Sequence, residues 1–133
     1  MNATTTSYAI GRSVPLAYEQ AVARIKDALQ QQGFGVLTEI DVQATFKKKL
    51  DVDFKKYVIL GACNAPLAYQ GFQAEPDIGL LLPCNVVVYE ETPTRSRVAL
   101  LDPVAQLGIS GREDLEPIAR QAREKLERAL QQV

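Results

Sequence analysis

The spacing of apolar positions along the chain predicts five β-strands and two long α-helices. Within residues 15–32, apolar side chains recur every three or four positions, which is the period of an amphipathic helix. A second run with this period begins near Glu113 and continues to the C-terminus. Short β-prone runs bounded by turn residues predict the strands. These runs are residues 8–14, 34–40, 57–63, 80–89 and 97–101.

Two polar residues at strand ends are placed to begin short helices. Asp41 follows the second predicted strand, and large apolar residues four apart within residues 43–56 can form one or two helical turns. Asn64 follows the third strand, and Pro66 two positions later suits the first turn of a helix. This second helix is short, because it ends before Pro76.

These elements predict an α+β fold with the element order β-α-β-β-β-β-α. The simplest arrangement is a five-stranded antiparallel sheet with both long helices packed on one face. The short helical segments then lie between strands two, three and four. The sequence contains no internal repeat, linker or low-complexity stretch. We therefore expect a single domain that spans residues 1–133.

The two central strands carry apolar residues on both faces. A strand with one face in water alternates apolar and polar residues, yet residues 58–63, 80–82 and 86–88 show almost no alternation. The two long helices can shield only one side of the sheet. We therefore expect a second copy of the chain to cover the other side in a homodimer, unless the segment around Phe46 and Phe54 covers it.

Composition and charge narrow the classes of function. Of the 133 residues, 47% are hydrophobic and 23% are charged, which is ordinary for a folded protein. The formal net charge is -1 with acids and bases mixed along the chain, so we expect no nucleic acid partner. No apolar run approaches the roughly 18 residues of a membrane span, and no basic leader is present. These features predict a cytoplasmic protein that does not bind membranes.

Histidine is absent, which affects the kinds of catalysis that the chain can support. Its absence removes the commonest metal ligand and the side chain that titrates nearest neutrality. A serine or cysteine nucleophile would also lack its usual imidazole base. Glycine-rich phosphate motifs and nucleophile elbows are missing as well. We predict no cofactor, and the sequence leaves open whether the protein is an enzyme.

The main candidate for a functional site is a pair of Cys-Asn dipeptides, Cys63-Asn64 and Cys84-Asn85. If the third and fourth strands are antiparallel neighbours, the end of one lies beside the start of the next, and the cysteines come together. Cys63 also precedes a predicted helix, whose N-terminal amides favour a thiolate and lower its pKa. The simpler interpretation is that both cysteines are buried apolar groups, and that the asparagines serve as a helix cap and a turn residue.

Charged residues near the second strand are a further candidate. Glu39 and Asp41 could share one face of the strand and bind a cation. Two carboxylates fall short of a metal site, however, and Asp41 is explained as a helix cap, so we predict no metal. The lysines between residues 47 and 56 are interrupted by Asp51 and Asp53, which indicates a solvated surface.

Five strings in the chain carry a family resemblance. They are GFGVL at residues 33–37, EIDV at 39–42, ILGACN at 59–64, EPDIG at 75–79 and LLPCNV at 81–86. Together they resemble the domain of unknown function 302 family, from about residue 15 to residue 107. The resemblance implies a fold similar to that of the TATA-binding protein, in a homodimer, with no established activity. The chain departs from the family pattern at Ala65, where a second proline commonly follows the Cys-Asn pair.

Three hypotheses of function follow from these observations. The preferred one is a non-enzymatic module that binds a small ligand or a protein partner at the two Cys-Asn segments. Its candidate site residues are Cys63, Asn64, Cys84, Asn85 and Asp41. The alternative is a thiol-based redox enzyme or sulfur carrier that uses Cys63 as nucleophile and Cys84 as resolving thiol. In the third, all of these residues are structural, and the function resides on a surface that the sequence does not mark.

Overall fold

The computed structural model describes residues 4–5 and 7–133, and it shows a six-stranded antiparallel sheet packed against helices. The strands are β1 Thr4–Thr5, β2 Ala9–Val14, β3 Gly35–Asp41, β4 Tyr57–Cys63, β5 Cys84–Thr92 and β6 Arg95–Leu101. The helices are α1 Tyr18–Gln31, α2 Val42–Leu50, α3 Ala65–Ala74, α4 Pro103–Gly108 and α5 Glu116–Gln131. Two 3-10 helices span Pro76–Leu81 and Glu113–Leu115.

The strands lie in the order β1-β2-β6-β5-β4-β3, and each is antiparallel to its neighbours. The predicted α+β class is confirmed, and all five predicted strands are present together with the two-residue edge strand β1. The chain crosses from β2 through α1 to the far edge at β3 and returns strand by strand to β6. This path places β4 and β5 side by side in the middle of the sheet.

Both long helices begin and end where local chemistry allows. α1 starts after Ala17, and Gly33 follows its end in the left-handed region with φ of 81°, which glycine adopts without strain. α5 starts after a 3-10 turn, and Pro117 lies in its first turn, where no helical donor is lost. Each helix buries one apolar stripe against the same face of the sheet.

The buried residues form two clusters. The larger cluster lies between the inner sheet face and the helices α1 and α5, and it includes Ile25, Leu60, Val86 and Leu126. The smaller cluster lies at one end of the molecule, where the 3-10 helix Pro76–Leu81 meets α4 and α5. Its buried members are Ile78, Leu107, Leu115 and Ala119.

The structure corrects two sequence-based boundaries. The fourth strand does not begin at Leu80, because Pro76–Leu81 forms a 3-10 helix and the strand starts at Cys84. Ile78, Leu81 and Leu82 belong to or pack on the smaller cluster instead of the sheet, and Leu80 is exposed. After the last strand, Asp102 caps α4 and Pro103 is the first residue of this helix, which the pattern of the sequence did not predict.

The outer face of the sheet carries an apolar row and no long helix. Ile40, Ile59, Val87 and Ala99 are successive cross-strand partners, so their side chains share this face. All except Ile40, which is 49% exposed, are half-buried. The segment around α2 reaches one edge of the face, where aromatic rings form a chain of contacts. The chain runs through Phe46, Phe54, Tyr57 and Tyr89.

Within the described part of the chain, no helix has the length and apolar character needed to cross a bilayer.

Candidate functional site

The register of the two central strands brings the Cys-Asn dipeptides together. Ala62 is the cross-strand partner of Cys84, and Gly61 is the partner of Asn85. Cys63, one residue past Ala62, therefore lies beside the start of β5. The prediction that antiparallel pairing places the two cysteines together is confirmed.

Gly61 permits a close approach of chain segments at this point. A Cβ atom at Gly61 would overlap Oγ1 of Thr38 and would lie 2.8 Å from Cγ of Pro83. Real Cβ atoms do not approach neighbours this closely, so a larger residue would displace the proline ring. The glycine thus lets residues 82–83 run directly over the end of β4.

A cavity of about 50 Å³ lies beside the two cysteines, at the junction of the two buried clusters. Its walls come from the ends of β4 and β5 and from α3, α4 and α5, together with the segment before β5. The lining residues are apolar except for the thiols and the amides of Asn64 and Gln106. No lining residue carries a charge.

Cys84 is buried and hydrogen-bonded. Its side chain is in the larger cluster, and the residue is only 6% exposed. Its thiol can donate to Oε1 of Gln106 at 3.3 Å or to the carbonyl oxygen of Leu101 at 3.6 Å. Burial, followed by the nearby Asp102 and Cys63, raises the pKa of Cys84 to about 12. This thiol is therefore protonated near neutral pH.

Cys63 is half-buried at the end of β4. Burial raises the pKa of the Cys63 thiol, so the prediction of a lowered pKa is wrong. Asn64, not the cysteine, occupies the N-cap of α3, where its Oδ1 accepts a hydrogen bond from the amide of Leu67 at 3.3 Å. Desolvation of the sulfur raises its pKa because it disfavours the charged form.

Gln106 connects the parts of the site, and the sequence analysis did not single it out. Its amide nitrogen donates to the carbonyl oxygen of Leu81 and, at 3.4 Å, to that of Pro83. Its oxygen accepts the Cys84 thiol, and the residue is only 4% exposed. A buried glutamine needs such partners, because an unpaired amide in an apolar region is costly. The only signal in the sequence for the position of Gln106 was the dipeptide Asp102-Pro103, which begins the helix that carries it.

Asp102 caps α4, the helix that carries Gln106, and connects it to α5. Its Oδ1 accepts the amide of Val104 at 2.9 Å, which caps α4, and its Oδ2 lies 3.5 Å from Nη1 of Arg123 on α5. A buried carboxylate is stabilised when it is paired and hydrogen-bonded in this way. The pair fixes α4, and with it Gln106, against α5.

Two predicted site residues lie away from the cavity. Asn85 follows Cys84 but lines the groove on the outer side of the sheet, and its side chain has no hydrogen-bond partner within the described residues. Asp41 pairs with Val58 at the opposite end of β3 from Cys63 and caps α2 through the amide of Ala44 at 2.9 Å. The structure therefore brings together Cys63, Asn64 and Cys84 only.

No cluster of three or more acidic or cysteine side chains that could hold a metal occurs among the described residues. Near Asp41, Glu39 instead forms an ion pair with Lys26 at 2.8 Å. The chemistry that the site offers is an apolar wall, two protonated thiols and two amide side chains.

Comparisons with known proteins identify a family and a similar solved structure. The family with the description "Domain of unknown function DUF302" matches residues 10–133. The crystal structure of the uncharacterized conserved protein DUF302 from Bacillus stearothermophilus is similar to this chain, with a TM-score of 0.87 and 27% sequence identity. The similarity covers 96% of this chain and 98% of that one. No curated protein matches the chain.

Proposed function

We propose, from the premise that this chain belongs to the DUF302 family of domains of unknown function, that it is a homodimeric binding module. It takes a small, uncharged ligand at the cavity beside Cys63, Asn64 and Cys84. The module acts in the cytoplasm and performs no covalent step on its ligand. Asn85 and Asp41, which lie away from the cavity, are not part of the contact with this ligand.

The observation that carries the proposal is the chemistry of the cavity wall. Sixteen residues line a space of about 50 Å³, and the lining includes no charged side chain. Apolar walls with a few placed polar groups are typical of small-molecule sites. A charged ligand would lose its hydration there without gaining a partner, so we infer that the ligand is neutral and has few heavy atoms.

The homodimer is supported by the outer face of the sheet. The row from Ile40 to Ala99 presents apolar side chains that α1 and α5 do not cover. The segment around Phe54 reaches only the edge of this face, at Tyr57. Contiguous apolar surface of this kind is typical of a protein interface, and a two-fold axis would let two identical faces cover each other.

Native mass spectrometry of the protein purified from its own cells tests ligand binding. We expect an added mass on the wild-type chain that is lost from an Ala68→Leu variant, because Ala68 lines the cavity and the larger side chain fills it. Ala23→Leu, on the exposed side of α1, is the matched control and retains the mass. An absence of bound mass in every preparation, or its retention in Ala68→Leu, contradicts the proposal.

A thiol-based redox enzyme or sulfur carrier is the second candidate, and the proximity of Cys63 and Cys84 favours it. In the redox form, the two thiols give one disulfide and pass two electrons and two protons to a disulfide oxidant. The raised pKa of both thiols opposes this activity, since the thiolate is the attacking species. Rapid, selective labelling of Cys63 in the folded protein at neutral pH would support this candidate, whereas labelling only after denaturation would exclude it.

A further inference from the structure

The segment between α3 and β5, residues 76–83, forms one wall of the cavity and is here named the flap. Its residues Ile78, Leu82 and Pro83 face the cavity. Its backbone hydrogen bonds outside regular ladders are local, from Ile78 to Glu75 at 3.1 Å and from Leu82 to Gly79 at 3.4 Å. The flap therefore lies outside the hydrogen-bonded sheet, and β5 begins after it, at Cys84.

Side chains from residues 106–112 contact the chain near both ends of the flap. At the C-terminal end of the flap, the Gln106 amide donates to the carbonyl oxygens of Leu81 and Pro83. At the other end, Nη1 of Arg112 lies 3.5 Å from Oε2 of Glu75, which precedes the flap.

The packing of the flap is also separate from the main core. Ile78 is buried in the smaller cluster, and Leu81 and Leu82 pack on that cluster, whereas Leu80 is 87% exposed. None of these four residues belongs to the larger cluster beneath the sheet. The apolar contacts of these residues are therefore with the smaller cluster, while Pro83 at the end of the flap packs over Gly61 of β4.

The flap separates two spaces. On its inner side lies the cavity with Cys84, and on its outer side lies a groove of about 300 Å³ that is lined by Leu80, Asn85 and Ile109, among others. Leu82, Pro83 and Gln106 line both spaces. These three residues therefore form the partition between the two spaces.

We propose that the flap is a gate over the buried Cys84 thiol and that Gln106 is its latch. Release of the Gln106 amide frees the carbonyls of Leu81 and Pro83, and it leaves the Leu101 carbonyl as the acceptor for the Cys84 thiol. In this proposal, opening of the gate exposes Cys84. The inference rests on the proposed function for its purpose, since the gate controls access to Cys84 in that site, but its test needs no ligand.

The test follows the rate at which a thiol reagent labels Cys84 in a Cys63→Ala background. We expect labelling through a local opening, with a rate that changes little with low denaturant, because such an opening exposes little surface. Gln106→Met keeps the size of the side chain and removes its hydrogen bonds. We expect it to label roughly tenfold faster, because about one net hydrogen bond to the flap is lost. Gln121→Met, on the exposed side of α5, is the matched control and labels like the parent.

Circular dichroism during urea unfolding gives the global stability of each variant, so that a local effect is distinguished from general destabilisation. If Gln106→Met does not fold, Arg112→Gln loosens the other end of the flap and is expected to accelerate labelling as well. The proposal is wrong if Cys84 reacts in the parent only with the denaturant dependence of global unfolding. It is also wrong if the variant that folds labels no faster than the Gln121→Met control. Loss of ligand binding alone would contradict the proposed function and leave the gate standing.

Discussion

At the scale of single residues, the site depends on one missing side chain. Gly61 lies beneath the ring of Pro83 and beside Thr38, and any Cβ atom there would meet both. The hydroxyl of Thr38 can rotate away, but the proline ring is held by the chain on both sides. The position of the flap over the end of β4 thus depends on the absence of a side chain at Gly61.

We predict that Gly61→Ala destabilises the protein by about 1 to 3 kcal/mol, the usual cost of overpacking a close contact. Urea unfolding monitored by circular dichroism measures the change. Gly35→Ala is the matched control, because it lies in the neighbouring strand β3 and a Cβ atom there meets nothing within 4 Å. Equal stability of the two variants would contradict the close approach at Gly61.

The second residue-scale prediction concerns pH. The pKa of Cys84 is about 12 in the folded state against an ordinary value of 9.0, so the native state keeps this proton where the unfolded state releases it. The stability that results is complete below about pH 9 and is lost as the pH rises towards 12. The loss approaches about 1.4 kcal/mol for each pH unit within that window.

Urea unfolding of the wild type and of Cys84→Ala at several values between pH 8 and pH 11 tests this linkage. Comparison of the two removes the contribution of other groups, such as Tyr18, whose pKa is also raised to about 12. We expect the stability difference between the proteins to shrink as the pH increases. A constant difference across the range would show that Cys84 titrates normally in the folded protein.

The candidate site was predictable only in part. Cys63, Asn64 and Cys84 were identified because antiparallel pairing determines which strand ends meet. Gln106 and Asp102 were missed because their roles depend on α4, whose position against α5 no local pattern reveals. The pKa of Cys63 was predicted with the wrong sign, because burial depends on tertiary packing while the helix end is visible in the sequence.

At the scale of elements, strong periodicity gave correct helices, and the short apolar runs gave five correct strands with one wrong boundary. The long helices were identified from their 3.6-residue period, and α2 and α3 from the caps Asp41 and Asn64. The run that starts at Leu80 was assigned to a strand, because a short apolar stretch reads alike in a strand and in a buried helix. Pro76 after Glu75 was the available signal for the 3-10 helix, since Glu75 caps it through the amide of Asp77.

The two Cys-Asn dipeptides allow a direct test of the cap. Asn64→Ala removes the side-chain acceptor at the N-terminus of α3, and we predict a loss of about 0.5 to 2 kcal/mol in thermal or urea unfolding. Asn64→Asp retains an acceptor and is expected to restore most of the loss. Asn85→Ala, at the exposed member of the pair, is the matched control, and we expect it to remain within about 0.5 kcal/mol of the wild type. The cap would be unimportant if both alanine variants behaved alike.

At the scale of the whole molecule, the sheet has two unlike sides. The inner side is covered by α1 and α5, while the outer side presents the row from Ile40 to Ala99. The lack of alternation in the central strands predicted that the outer side is apolar, since both faces of β4 and β5 carry apolar side chains. We propose that a second copy of the chain covers the outer side through a self-complementary interface.

We predict that Val87→Lys converts a dimer into a monomer, because a lysine at the middle of the apolar row would bury a charge without a partner. Light scattering at micromolar concentration reports the mass of each form. Thr94→Lys, at the exposed turn between β5 and β6, adds the same charge and is expected to leave the dimer intact. A dimer that persists in Val87→Lys would place the interface elsewhere, and a monomeric wild type would refute the assembly.

The division of the buried residues into two clusters has a consequence for how the molecule opens. The smaller cluster contains four buried residues and holds the ends of α3 and α4, whereas the larger one spans the sheet. Regions with few apolar contacts unfold locally at a low free-energy cost, so their amide hydrogens exchange before those of the rest of the protein. We expect native-state hydrogen exchange to show residues 74–83 and 103–116 losing protection together, ahead of β4, β5 and β6. The protein would then carry its candidate site at the boundary between a rigid region and one that unfolds reversibly.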